Sequence, residues 1–184
     1  MSSQQGSGQF LNAADAGLGA RVQWLIDREE IRDVLMSYCR GVDRRDYDLI
    51  TSAYHPDAWD DHGNFEGGPE AVVAKVAKDP PGAVTTSSTH LIGNIRIELE
   101  GDVARVESYF VAYKALVLDG RTYTTARAGR YLDRFERREC GWRIARRKVA
   151  DDWSRMDEVV AAPEAGQHQG ARSKEDPSYT FLSA

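Results

Sequence analysis

Apolar positions in the first third of the chain recur at helical spacing. Ile31, Val34, Leu35, Tyr38 and Val42 share one face of a helix. Asp27 and Glu30 stand at capping-box spacing, whereas Trp24, Leu25 and Ile26 favour an earlier start with a kink. DYDLITSAY predicts a short second helix with Leu49, Ile50 and Ala53 inward, ended by HPDA. WDDHG predicts a short strand. GGPEAVVAKVAKD predicts a third helix, with Pro69 in its first turn and DPPG as its stop. After Pro81 the pattern changes. Segments 86–99, 103–118, 122–138 and 142–153 are rich in Val, Ile, Thr, Tyr and Phe, and EGD, LDGR and RECG between them are turn signals. They predict a four-stranded antiparallel meander. Helices followed by a long curved sheet make an α+β pattern, with the helices over one face of the sheet. Such a sheet, closed by helices at one side, forms a cone whose hollow centre suits a small molecule.

Composition narrows the setting. The 184 residues suffice for one domain with a core, expected over residues 19–158. Residues 1–18 read as a flexible N-terminus. Residues 159–184 read as a tail that packs on a neighbouring subunit. A net charge of −5 argues against a sequence-independent nucleic-acid binder. No apolar run approaches the ~18 residues of a membrane span. The first residues, MSSQQGSGQF, lack the basic and apolar regions of a secretory signal. Two cysteines, Cys39 and Cys140, make neither a disulfide framework nor a metal-spaced cluster, which favours a cytoplasmic setting.

The chemistry rests on few residues. Of four histidines, His168 lies in the tail and His55, before Pro56, reads as a surface residue. For His90 the pattern leaves two readings open. Ile95, Ile97 and Leu99 share one strand face, and strict alternation puts His90 on the other. A bulge at Gly93 reverses that phase and turns His90 toward the core. Asp43, beside the helix stripe, is either a solvated helix-end carboxylate or a pocket group. Together the two would make an acid/base dyad, the carboxylate fixing the imidazole tautomer. Tyr38 stands five residues earlier, about 140° round the helix axis. Tyr109, Val111 and Tyr113 alternate on the second long strand and either line the hollow or fill the core; Trp59 is a similar case. No G-x-S-x-G is present. Asp60, Asp61, His62 and His90 lack helical metal-ligand spacing, so neither metal nor cofactor is implied.

IRDVLMSYCRGVDRRD, YHPDAWDDHG, GGPEAV, THLIGNIRIE and GRYLDRFERRECGWRI resemble the SnoaL-like branch of the nuclear transport factor 2-like superfamily, over residues 20–155. That superfamily has a cystatin-like α+β cone. Its enzymes include scytalone dehydratase, bile acid 7α-dehydratase, hexachlorocyclohexane dehydrochlorinase and ketosteroid isomerase. The resemblance implies Asp43 as the residue that orients His90, and His90 as general base. It implies Tyr38 as a pocket donor and Arg147 as a stabiliser of negative charge. His62 stands where the dehydratases carry a tyrosine, so the acid that serves the leaving group is open between it and Tyr38. The implied activity is a cofactor-independent, dehydratase-like lyase acting on an apolar ring compound such as a steroid or polyketide. A ketosteroid-isomerase-like activity and a non-catalytic binding module are the alternatives. A homo-oligomer is implied, a trimer ahead of a dimer.

Overall fold

A computed structural model describes residues 17–159 and 166–182; the expected N-terminal segment falls mostly outside them. The chain runs α1 (Leu18–Arg44), α2 (Tyr47–Ser52), β1 (Tyr54–Asp61), β2 (Glu66–Gly67), α3 (Pro69–Ala77), β3 (Ala83–Glu100), β4 (Val103–Leu118), β5 (Arg121–Arg138), β6 (Gly141–Glu158) and α4 (Pro177–Phe181). The expected meander is β3–β6. With β1 and β2 it forms one sheet in the order β2-β1-β6-β5-β4-β3, in which only β1 and β6 pair in parallel. This is the α+β architecture that the apolar pattern predicts. HPDA does not end a helix but lies within β1, whose pairing to β6 is interrupted between Tyr54 and Trp59, so Pro56 costs no ladder bond there.

α1 starts well before the expected cap. Asp27 is buried in mid-helix, where it accepts hydrogen bonds from Trp142 Nε1 at 3.1 Å, Arg137 Nη1 at 2.6 Å and Gln23 Nε2 at 3.0 Å. It ties the helix to the β5–β6 end of the sheet instead of opening the helix. Ile31, Leu35, Tyr38 and Val42 form the buried stripe, packed with Ile97, Val106, Phe110, Tyr131, Phe135 and Ile144 from the inner sheet face. His55 is also buried, not on the surface; its Nε2 lies 2.9 Å from the Glu136 carbonyl.

Two close approaches depend on glycine. A Cβ at Gly41 would meet Ile50 Cγ1 at 2.8 Å, so α2 turns back against the end of α1 only because that position is bare. A Cβ at Gly129 would lie 2.3 Å from the Ala150 carbonyl oxygen, beside the register shift at Ala128/Gly129 that bends β5 against β6.

The described part of the tail rests on its own chain. Tyr179 donates to Asp46 Oδ2 at 2.7 Å, Arg40 Nη2 donates to Ser178 Oγ at 3.1 Å, and Arg44 pairs with Asp176 at 3.1 Å. Arg172 Nη2 donates to the Val42 carbonyl at 3.3 Å.

Candidate active site

α1 ends where β3 begins its run across the sheet. Arg45 takes a left-handed φ of 51° and Asp46 N–H bonds back to the Gly41 carbonyl at 2.9 Å, closing the helix just past Asp43. Asp43 is thereby buried against the inner face of β3. Its Oδ1 accepts from His90 Nδ1 at 2.6 Å and from Ser88 Oγ at 2.8 Å, and its Oδ2 accepts from the His90 backbone N–H at 2.8 Å. Burial pushes the Asp43 carboxyl up, but the hydrogen bonds and charge it meets at His90, with help from Ser88, outweigh this and hold it below the usual carboxylate range. A carboxylate can only accept, so Nδ1 carries a proton, and in the neutral imidazole the lone pair is therefore on Nε2. Nε2 has no hydrogen-bond partner among the described residues.

His90 faces inward because β3 is bulged. Gly93 pairs with Tyr109 and Arg96 with Glu107, so two β3 residues oppose one of β4, and Asn94 adopts a φ of 47°. Before this point Ser88 and His90 point inward; after it, Ile97 does.

A second group of polar residues lies deeper. Arg147 is fully buried and bidentate to Asp133, both contacts 2.7 Å, with its guanidinium 4.3 Å from the Tyr38 ring and 4.1 Å from the Tyr131 ring. Burial disfavours the Arg147 charge, and the Asp133 carboxylate more than restores it. Arg147 is absent from the wall of the central cavity, where Tyr38 stands between; its Nη1 is buried without a hydrogen-bond partner. Tyr38 lines the cavity, and burial raises its phenol well above the ordinary range, leaving it a neutral donor. Burial likewise pushes the neighbouring Cys39 thiol up to about 12, which keeps it unreactive.

His62 also borders the cavity. It stacks on Phe65 with centroids 4.5 Å apart, and its Nε2 lies 3.0 Å from Asp60 Oδ1, outside hydrogen-bond alignment. Asp60 Oδ2 accepts from the Tyr54 hydroxyl at 2.5 Å. Burial pushes Asp60 up, yet His62, Arg147 and Tyr54 together hold it down. Two imidazoles, each backed by a carboxylate, therefore border one cavity of about 460 Å³.

The expected hydrophobic lining is different. Tyr109 (44% exposed), Val111 and Tyr113 (40% exposed) point to the outer sheet face, and the inward positions between and beyond them belong to Phe110, Ala112 and Lys114. Trp59 is 43% exposed and lines a groove on the outer face with Leu132 and Arg146. Alternation alone fixes which residues travel together, not which set faces in. Phe110, Tyr131, Phe65, Val72 and Val76 supply the apolar wall. Among the described residues no group of three or more His, Cys, Asp or Glu is placed to hold a metal, and no helix is long and apolar enough to cross a membrane.

The SnoaL-like domain model matches residues 23–148, more than half of the chain and all of the cavity-forming helices and strands but the ends of α1 and β6. The chain belongs to the SnoaL-like domain family. Around this SnoaL-like domain, a Mycobacterium tuberculosis protein, Rv2910c, of uncharacterised function, is 29% identical over 133 residues, 71% of this chain and 88% of that one. A hexachlorocyclohexane dehydrochlorinase (LinA) type 2 structure superposes with a TM-score of 0.67 at 19% identity, covering 80% of this chain and 99% of that one. A Novosphingobium aromaticivorans structure, named provisionally for scytalone dehydratase, gives a TM-score of 0.63 at 18% identity, covering 79% and 97%. At these identities the likeness is one of fold, which is shared with an NTF2-like protein of cystatin-like fold from Novosphingobium aromaticivorans, at a TM-score of 0.57 and 25% identity over 79% of this chain and 92% of that one.

Proposed function

We propose that this SnoaL-like domain is a cofactor-independent lyase that eliminates water from an apolar, ring-containing small molecule such as a steroid or polyketide. The observation that carries the reading is the 2.6 Å contact between Asp43 and His90 Nδ1 at the wall of a cavity. His90 Nε2 takes the proton from the carbon beside a carbonyl or similar activating group. The C–H electron pair forms the new double bond as the C–O bond on the adjacent carbon breaks. His62 or Tyr38 protonates the departing hydroxyl, and water is released. The proton held by the His90 imidazolium then returns, through released water, to the group that gave one up. Asp43 stabilises the imidazolium while it exists.

The reading is supported by the pairing of one buried acid/base couple with a second donor on the same cavity. It is tested with a panel of β-hydroxy ring ketones in D2O, following enone absorbance and deuterium entry at the α-carbon. Wild type should do both, and His90→Gln neither. Panel members that bind to the wild type without exchange or elimination would leave a binding module instead.

A further inference from the structure

The chain carries 29 acidic and 24 basic residues, yet the cavity wall has the opposite balance. Lys75, Lys78, Lys114, Arg127 and Arg172 border it, against the single carboxylate of Asp79. Asp79 is taken by Arg45 at 2.6 Å and is 3.9 Å from Arg172. Arg127 is held by Asp151 at 2.5 and 2.8 Å. Lys114 has no ion pair among the described residues, and Arg172 Nε is buried without a hydrogen-bond partner. Burial lowers the Lys114 ammonium pKa, and the neighbouring Arg172 and Arg127 lower it further. Asp43 also favours the charges of Lys114 and Arg172, but its oxygens are taken by Ser88 and His90, so of these three cations Lys114 is the one without an ion pair of its own among the described residues.

Their register relates them to the dyad. Ala112 pairs with both His90 and Arg127, so these three span one row of β3, β4 and β5. Lys114 lies one inward position further along β4, opposite Ser88. Two residues along a strand are about 7 Å, and two strand spacings about 10 Å. A group seated on Lys114 and Arg172 therefore lies about one to two rings' width from the base.

Resting on the proposed lyase reading for its cavity, we infer that the substrate carries an anionic group, held by Lys114 with Arg172 and Arg127 beside it, roughly one or two rings from the carbon that loses its proton. Lys114 is half-buried, and an ammonium partly withdrawn from water with no ion pair among the described residues gains from an incoming anion. Tail residue Arg172 is then part of the binding site.

The test uses two dyes of the same ring system, 8-anilinonaphthalene-1-sulfonate, which is anionic, and N-phenyl-1-naphthylamine, which is neutral. Fluorescence titration of the full chain should show the anionic dye binding at least tenfold more tightly. Lys114→Met and Arg172→Gln should each weaken it about tenfold and leave the neutral dye unchanged, while Lys114→Arg retains it. Circular dichroism melts guard against misfolding. Displacement by naphthalene-2-carboxylate or by adenosine 3′,5′-bisphosphate tells a carboxylate seat from a phosphate seat. Equal affinity for the two dyes, no binding of the anionic one, or indifference to both substitutions would overturn the inference. Repeating the titration with His90→Gln separates this outcome from failure of the lyase reading, because binding needs no base.

Discussion

Replacing Asp43 by asparagine should invert the tautomer of His90. The wild-type carboxylate accepts from the His90 backbone N–H, from His90 Nδ1 and from Ser88 Oγ. Asparagine offers one oxygen and one NH2. The backbone N–H cannot become an acceptor, and leaving it buried and unpaired costs about 1–3 kcal/mol. The amide oxygen therefore takes the Oδ2 position, and the NH2 faces Ser88 Oγ and Nδ1. Serine can rotate its hydroxyl; imidazole can accept only by moving its proton to Nε2. The variant keeps its hydrogen bonds but loses their charge-assisted part, a cost of about 1–2 kcal/mol in stability. The base, in contrast, is lost, because the lone pair now sits on the wrong nitrogen. General-base contributions of about 10²–10⁴ correspond to about 3–5.5 kcal/mol of barrier. Long-range ¹H–¹⁵N correlation spectra of the imidazole, taken above the histidine titration, read the tautomer without any substrate. A His90 that keeps its Nδ1 proton in Asp43→Asn, or a variant as active as wild type, would refute the reasoning.

Asp133→Ala should strand the buried Arg147 charge at a cost of about 3–5 kcal/mol. At roughly 2–4 °C per kcal/mol for a chain of this size, Tm should fall on the order of 6–20 °C, and Asp133→Leu with Arg147→Met should recover most of it. Because the folded-state pKa of Asp43 is depressed, its contribution to stability is complete above about pH 4 and is lost as pH falls through the lower folded value. Urea titrations should therefore show a flatter acid decline for Asp43→Asn than for wild type, and parallel curves would count against the depressed pKa. The outer sheet face exposes Leu91, Tyr109, Tyr113, Leu132 and Trp153, which favours a homo-oligomer, with a trimer expected by light scattering; a micromolar monomer would contradict it.

Much of this was legible in the apolar pattern because long strands and an amphipathic helix repeat their signal many times. The four long strands were found to within a few residues. Single-residue effects were less legible. Asp27 looked like a cap because capping boxes are local, whereas its partners Arg137 and Trp142 are more than a hundred residues away. His55 looked exposed because the carbonyl that satisfies it belongs to β5. Tyr109, Val111 and Tyr113 alternate as lining residues should, but inside and outside give the same alternation. The cations at Lys114 and Arg172 carried no motif; only the fold brings a strand and the tail together. His90 was decided by one extra residue, and Gly93 was its only local signal.

That extra residue divides β3 into two parts that answer to different constraints. Upstream of Asn94 the inward positions hold Thr85, Ser88 and His90, with Ile92 at the junction; downstream they hold Ile95, Ile97 and Leu99. A strand of unbroken alternation would have to set its whole length by one choice of face. Here a deletion at Asn94 would exchange inside for outside in one half while leaving the other untouched. The polar half, itself shifted once more between Thr85 and Ser87, can exchange side chains without altering the phase of the apolar half.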